Sequence, residues 1–156
     1  MIANTSAHDF DVIEITNEMP TNRIGGVGSV VENLYTGFSD LGVNALWFVV
    51  DHGDQAFEIE TILNSYRSVA IGGYRDLEHF HAPVAHLHSY FSNADLEPYL
   101  TGPRSLFTIH SLLAYEELSN NVDLPTLVAG QEANIRACDE VVLVSKAEHR
   151  YYLKLG

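Results

Sequence analysis

The sequence predicts an α/β protein built on a doubly wound, mostly parallel sheet of about six strands with helices on both faces. Short apolar runs alternate with helical patterns along the chain, which is typical of parallel strands joined by helices. The strands are continuously apolar, as in "NALWFVV" at Asn44–Val50, and this is typical of strands covered on both faces. With 156 residues, 46% of them hydrophobic, the chain can bury a core of its own. We therefore expect a single domain over residues 1–156.

Apolar spacing and helix-ending residues predict the individual elements. "FDVIEIT" at Phe10–Thr16 is predicted as the first strand. In the segment that follows, apolar residues recur at three- and four-residue spacing, which predicts one face of a helix: Val27, Val30, Val31, Leu34, Phe38 and Leu41. Gly42 lies where a C-terminal cap belongs. The further strands are predicted at Asn44–Val50, Ser68–Ile71, Pro83–Ser89, Arg104–His110 and Glu140–Ser145, and the further helices at Ile59–Tyr66, Asn93–Leu100, Leu124–Cys138 and Ser145–Gly156.

Charge and cysteine content narrow the class of partner. Lys and Arg together number 8 against 21 Asp and Glu, a net charge of −13, which argues against nucleic acid and anionic membranes as partners. A small anionic ligand remains open, because a few local donors suffice for one phosphate. The single cysteine, Cys138, excludes an intrachain disulfide and favours a reducing compartment. We find neither an apolar run of membrane-spanning length nor a secretory signal in "MIANTSAHDF", so a cytoplasmic location is expected.

The carboxyl ends of the predicted strands are the expected place for a ligand. In open α/β sheets, ligands bind in the crevice beyond those ends. The candidate segments are therefore Glu18–Gly28, Asp51–His52, His88–Tyr90, His110–Ser111 and Ser145–Lys146.

The loop "RIGGVG" at Arg23–Gly28 precedes the first predicted helix. Its glycines and the positive end of the helix dipole suit an anion or a hydroxyl group, although they also fit a flexible connection. A dinucleotide fingerprint is a further alternative, since Gly26-x-Gly28 is present and Asp51 ends the second strand. Two features oppose it: Val31 holds the third glycine position, and "NEMPTNR" separates the loop from the strand. Neither a Walker motif nor a Gly-x-Ser-x-Gly elbow occurs.

Two histidine pairs have the period-two spacing of a strand. His79 with His81, and His86 with His88, are each predicted to share one face of a strand. Two ligands do not make a metal site, and no cysteine or carboxylate cluster completes either pair. We therefore predict no metal site and interpret these histidines as packing or surface residues. His88 also lies at a strand end, so a role in ligand binding stays open for it.

Four segments, taken in order, resemble GT-B glycosyltransferases of the glycogen/starch synthase type and their retaining relatives. The first is "NEMPTNRIGGVGSVVENLYTGFSDLG", with an acidic residue, a proline, a basic-x-Gly-Gly-x-Gly loop and a long helix. "VAHLHSYF" is similar to the family's His-Asp-Trp strand end, and "FTIHSLLAYE" to its Thr-Ile/Val-His segment. "EANIRACDEVVLVSKAEHRYYLKLG" is similar to its Ala-Asp-x-Val-x-x-Val-Ser strand and the following helix. The resemblance covers nearly the whole chain.

The resemblance implies an N-terminal, acceptor-side Rossmann-like domain, one half of a GT-B fold. It implies a catalytic role for His110, beside the transferred sugar, and substrate binding by Glu18, Arg23, Gly25, Gly26 and His88. Arg23 stands where glycogen synthases usually carry Lys, and it can still clamp phosphate bidentately. At the strand end that contains His88, Ser89 and Tyr90 replace the family's Asp and Trp, which leaves the manner of acceptor binding open.

The complete enzyme would move a hexose from a nucleoside diphosphate sugar to a sugar acceptor with retention. No cofactor is expected beyond this donor substrate, and the family generally needs no metal to bind the diphosphate. The partners implied are the nucleotide sugar, the carbohydrate acceptor and a C-terminal domain or second chain that carries the donor site. We expect this polypeptide alone to lack appreciable transferase activity, because the groups that neutralise the leaving diphosphate are outside it. The alternatives are a non-catalytic sugar-binding or interaction module and, third, an NAD-binding oxidoreductase domain.

Overall fold

A computed structural model describes residues 8–18, 26–50, 68–88, 102–111 and 125–155. The helices predicted at Ile59–Tyr66 and Asn93–Leu100 lie outside these residues. The strands are β1 (His8–Asp9), β2 (Val12–Thr16), β3 (Ala45–Val50), β4 (Val69–Gly72), β5 (Phe80–His81), β6 (Val84–Leu87), β7 (Arg104–Ile109) and β8 (Glu140–Leu143). The helices are α1 (Val27–Asp40), α2 (Pro125–Ala137) and α3 (Lys146–Leu155), with a 3-10 helix at Tyr74–His79.

Six strands form one sheet in the order β4-β3-β2-β6-β7-β8, and each neighbouring pair is parallel. The predicted doubly wound sheet is thus confirmed. Within this sheet, the chain runs from β2 in the middle outward through β3 and β4, and returns to β6 on the other side of β2. The order therefore reverses between β2 and β6, and in such sheets the crevice at this switch point is the usual ligand site.

Helices cover both faces of the sheet, as the apolar strands predicted. On one face, here called the α1 face, Val27 and Val31 of α1 pack against Trp47 and Val49 of β3. On the opposite face, a larger core forms from the alternate side chains of the same strands, which include Phe48, and α2 and α3 contribute to it. Its buried members include Ile13, Ile15, Leu87, Phe107 and Ile109, with Ile135 of α2 and Tyr152 of α3 packed against them.

Helix α1 begins and ends as its sequence predicts. Gly42 adopts a left-handed conformation with φ of 73°, which glycine accepts without a Cβ clash and which ends the helix. At the N-terminus, Gly26 is the capping residue and its own side chain offers no acceptor. The carboxylate of Glu18 takes that place from outside the helix, since the Gly28 N–H donates to Glu18 Oε2 at 3.1 Å.

The segment between β4 and β6 differs from the prediction. His79 is the last residue of the 3-10 helix, whereas His81 belongs to β5, which pairs with β1 in a separate two-stranded parallel sheet. The prediction that these two histidines share one strand face is therefore wrong. The physical reason is local: the Asp76 carboxylate accepts the Gly73 N–H at 2.9 Å and turns the chain into a helix before His79. Both histidines are exposed.

None of the helices in the described ranges has the length and apolar character that crossing a bilayer requires.

Candidate functional site

A group of polar side chains lies on the α1 face of the three strands around the switch point. Glu14 of β2 is the register partner of His86 of β6, and Thr108 of β7 lies two residues beyond the partner of His86. Because side chains alternate along a strand, these residues point away from the larger core. His88 directly follows β6, and His110 directly follows β7. Both lie at the carboxyl edge of the sheet, and the alternation of side chains places them on the same face as the other polar residues.

Glu14 is the centre of this group and is fully buried. Its Oε2 lies 2.5 Å from His88 Nε2 and 3.0 Å from His86 Nδ1. Burial by itself would raise the pKa of the Glu14 carboxyl, but the hydrogen bonds and charges of His86 and His88 outweigh it and hold that pKa below its usual value. Glu14 is therefore an ionised carboxylate that accepts from both imidazoles.

In each imidazole, the ring nitrogen that faces away from Glu14, here called the outer nitrogen, has a hydrogen-bond partner of its own. His86 Nε2 lies 2.8 Å from Thr108 Oγ1, and His88 Nδ1 lies 3.1 Å from His110 Nε2. Burial lowers the pKa of His88 and outweighs the opposite effect of Glu14, so His88 is a neutral ring. A continuous chain of contacts consequently runs from the buried Glu14 through His88 to His110 at the carboxyl edge.

The N-terminus of α1 closes the crevice on the β2 side. The Glu18 N–H donates to Thr16 Oγ1 at 3.0 Å, which fixes the backbone just after β2, and the Glu18 carboxylate binds the Gly28 amide. A negative side chain is thus already bound at the positive end of the helix dipole. Gly26 has a φ of −83°, and a Cβ built there would meet no atom of the described residues within 4 Å, so none of them blocks approach to its backbone.

The sequence-predicted site residues divide into three groups in the structure. His88 and His110 are brought into contact at the carboxyl edge. Glu18 and Gly26 lie at the N-terminus of α1. Arg23 and Gly25 lie outside the described residues, as does Asp51, which the dinucleotide alternative would use.

The roles of Glu14 and Thr108 were not predicted from the sequence. The prediction that no carboxylate completes the His86 and His88 pair is wrong, because Glu14 lies within hydrogen-bond distance of both rings. A signal was present: Glu14 is a charged residue in the middle of a short apolar strand, and buried carboxylates are rare unless they are paired.

Val31 bears on the dinucleotide alternative. Its side chain is fully buried and packs with Val27, Trp47 and Val49. A dinucleotide fingerprint has glycine or alanine at this position so that the helix can approach the strand closely. The observed packing instead fills that space with a branched side chain, which weighs against a pyrophosphate bound in the fingerprint manner.

Two cavities lie away from the crevice. One of about 480 Å³ is at the amino-terminal ends of β2 and β6, among mostly apolar side chains that include Phe10, Leu77 and Phe80. The other, of about 350 Å³, adjoins Ser145 and Lys146 at the end of β8. The first is the larger, yet it lies at the edge of the sheet opposite to the clustered polar groups. We place the candidate site at the switch-point crevice, because convergent titratable side chains mark functional sites better than volume does.

No family model matches the chain, and no curated protein matches it either. Fold and site geometry therefore define the class of the protein: a Rossmann-like α/β domain with a buried carboxylate–histidine network at its topological switch point.

Proposed function

We propose that this chain is the acceptor-side domain of a retaining GT-B glycosyltransferase that transfers a hexose from a nucleoside diphosphate sugar to a sugar hydroxyl. One observation carries the proposal. His88 and His110, which resemble the family in two separate segments, have ring nitrogens 3.1 Å apart at the carboxyl edge of the sheet. The strand order, with its switch point beside them, also supports the proposal.

In the proposed function, His110 contacts the transferred sugar and positions it for attack. His88 orients the His110 ring, since the Nδ1 of His88 faces His110 Nε2 while its Nε2 faces the buried Glu14. This arrangement limits the rotation of the His110 ring, and a fixed hydrogen-bonding group gives up less entropy when a substrate binds.

The N-terminus of α1 is proposed to contact sugar hydroxyls rather than phosphate. The Glu18 carboxylate is bound to the Gly28 amide, and a carboxylate there accepts from hydroxyl groups but repels a diphosphate. The diphosphate would then depend on Arg23 and on cationic groups of a second domain, which stabilise the charge that develops on the leaving group.

Titration of the chain by calorimetry and by histidine-detected NMR tests the proposal. We expect nucleoside diphosphate sugars or oligosaccharides to shift the His88 and His110 signals, and NAD to give no shift. The matched control is His79→Ala, an exposed histidine at the end of the 3-10 helix; it is expected to bind like the wild type, whereas His110→Ala binds at least tenfold more weakly.

Activity separates the proposal from its alternatives. Mixing the chain with a donor-binding domain of the same enzyme class is expected to give hexosyl transfer, while the chain alone gives none. Sugar binding without transfer in the mixture would favour the non-catalytic module. Tight NAD binding that shifts the His88 and His110 signals would overturn the proposal in favour of an oxidoreductase domain.

A further inference from the structure

The buried centre of the network has the form of a metal-ligand set. Glu14 Oε2, His86 Nδ1 and His88 Nε2 converge on one point, with separations of 3.0 Å between Glu14 and His86, 2.5 Å between Glu14 and His88, and 3.2 Å between the two rings. All three residues are buried. We propose that Glu14, His86 and His88 bind one divalent transition-metal ion of the Zn²⁺ class at the switch point of the sheet. The proposal goes beyond glycosyl transfer, and the site shares His88 with the proposed acceptor-side site.

The distances are close to those of a tetrahedral site. Zn²⁺ bonds of about 2.0–2.1 Å to imidazole and carboxylate place neighbouring ligand atoms roughly 3.3 Å apart. Two of the three observed separations come within about 0.3 Å of that value, and the contact between Glu14 and His88 would open by about 0.8 Å. Metal binding therefore requires a small movement of the Glu14 side chain and no change in the backbone.

The kind of ligand selects the kind of metal. Two imidazole nitrogens with one carboxylate suit Zn²⁺ and its neighbours in the first transition row, whereas Mg²⁺ and Ca²⁺ prefer oxygen ligands. A buried carboxylate also needs compensation for its lost hydration, and a dication bound between Glu14 and two neutral rings provides it. Three protein ligands leave one coordination position for water or for an exogenous ligand.

The outer partners fit both the metal-bound and the metal-free state. Without metal, His86 Nδ1 and His88 Nε2 each carry the proton that they donate to Glu14, and their outer nitrogens accept from Thr108 and His110. With metal, those inner nitrogens lose their protons, and the outer nitrogens donate instead. Thr108 Oγ1 and the His110 ring can each either donate or accept, so neither outer hydrogen bond is lost, and bonds to the metal replace the two inner ones. Such outer contacts are what orient histidine ligands in metal sites.

Nitrogen-15 NMR of the wild-type chain, titrated with ZnCl₂ after treatment with a chelator, tests the proposal without any substitution. We expect one Zn²⁺ per chain and a change of tautomer at His86 and His88, in which the proton moves to Nε2 of His86 and to Nδ1 of His88. If Zn²⁺ changes only the signals of exposed histidines, or leaves those of His86 and His88 unchanged at saturation, the site does not exist.

Variants measured by equilibrium dialysis and by Co²⁺ absorption give an independent test. Removal of a ligand in His88→Ala or Glu14→Gln is expected to weaken binding at least 100-fold, and removal of an outer partner in Thr108→Val about tenfold. The matched control is the double variant His79→Ala/His81→Ala, which removes the other closely spaced pair and keeps wild-type affinity. Loss of binding in this control, with retention in His88→Ala, would assign the metal to the protein surface and overturn the proposal. Should the ligand variants fail to fold, the wild-type NMR result decides.

Discussion

The hydroxyl of Thr108 is a single group whose contribution to the fold can be measured. It bonds His86 Nε2 at 2.8 Å, and both residues are buried. Thr108→Val keeps the shape of the side chain but leaves the ring nitrogen without this partner, which costs about 1–3 kcal/mol. Urea unfolding checks this value. Thr36→Val is the matched control, because it removes an exposed hydroxyl bonded to Glu32 O in α1 and is expected to change stability by less than about 0.5 kcal/mol. Equal losses in the two variants would contradict the importance of the buried bond.

Cys138 gives a second measurement at the scale of one residue. Burial raises the pKa of its thiol from 9.0 to about 11, and only the thiolate reacts with alkylating reagents. At pH 8 the native thiol should therefore react with iodoacetamide about 100-fold more slowly than the same thiol in urea. The rate, followed by mass spectrometry, should rise as the pH approaches 11. Similar rates in the native and unfolded chains at pH 8 would show that the thiol is not perturbed.

At the scale of elements, a reciprocal contact joins the start of β7 to the turn before β8. The Ser105 N–H and hydroxyl donate to Asp139 Oδ2 at 2.7 and 2.9 Å, and the Asp139 N–H donates to Ser105 Oγ at 3.0 Å. The backbone and hydroxyl bonds of Ser105 lower the pKa of Asp139. A lowered pKa contributes stability that is present above the unfolded pKa, about 3.9, and is lost as the pH falls through the folded value.

Asp139→Asn is therefore expected to reduce stability at pH 7 and to have a smaller effect at pH 3 and below. Unfolding in urea at several pH values measures this. Asp40→Asn is a suitable control, because Asp40 is exposed at the C-terminal end of α1, where a negative charge is unfavourable. Removal of the Asp40 charge should leave the stability of the chain unchanged or slightly raised. A loss in Asp139→Asn that does not depend on pH would contradict the role of the charge.

The elements also show what could be predicted from the sequence. Local signals were sufficient for the apolar strands and for the end of α1 at Gly42. The predicted apolar face of α1 is only partly buried, because Val27 and Val31 are buried whereas Val30 and Leu41 are exposed. Contacts that depend on strand order could not be predicted from local signals. An example is the hydrogen bond between Glu14 and His86, which are 72 positions apart in the chain. That contact follows from the parallel pairing of β2 with β6, which no local pattern encodes. The pairing of β1 with β5 was missed for a different reason, because two residues are too few for a periodic signal.

At the scale of the whole molecule, the candidate site and the centre of the fold are the same place. The switch point joins one half of the sheet, β4-β3-β2, to the other, β6-β7-β8. Two sets of contacts cross that junction. They are the backbone pairing of β2 with β6 and the hydrogen bonds of Glu14 with the rings of His86 and His88. The polar network is thus part of the junction as well as of the crevice. A substitution of Glu14 should therefore change the stability of both halves of the sheet.

Glu14→Gln tests this coupling. Glutamine keeps the size of the side chain but loses the charge, and it replaces one of the two accepting oxygens with an NH2 group that can only donate. Loss of a hydrogen bond to a charged group costs about 1.5–3 kcal/mol, so the urea midpoint should fall. The fluorescence of Trp47, the single tryptophan, reports on β3, and amide exchange of Phe107 and Ile109 reports on β7. Because the two halves share one junction, both probes should move to the same lower midpoint. Selective loss of exchange protection in β7, with an unchanged Trp47 transition, would show instead that the halves unfold separately and that the network stabilises only the crevice.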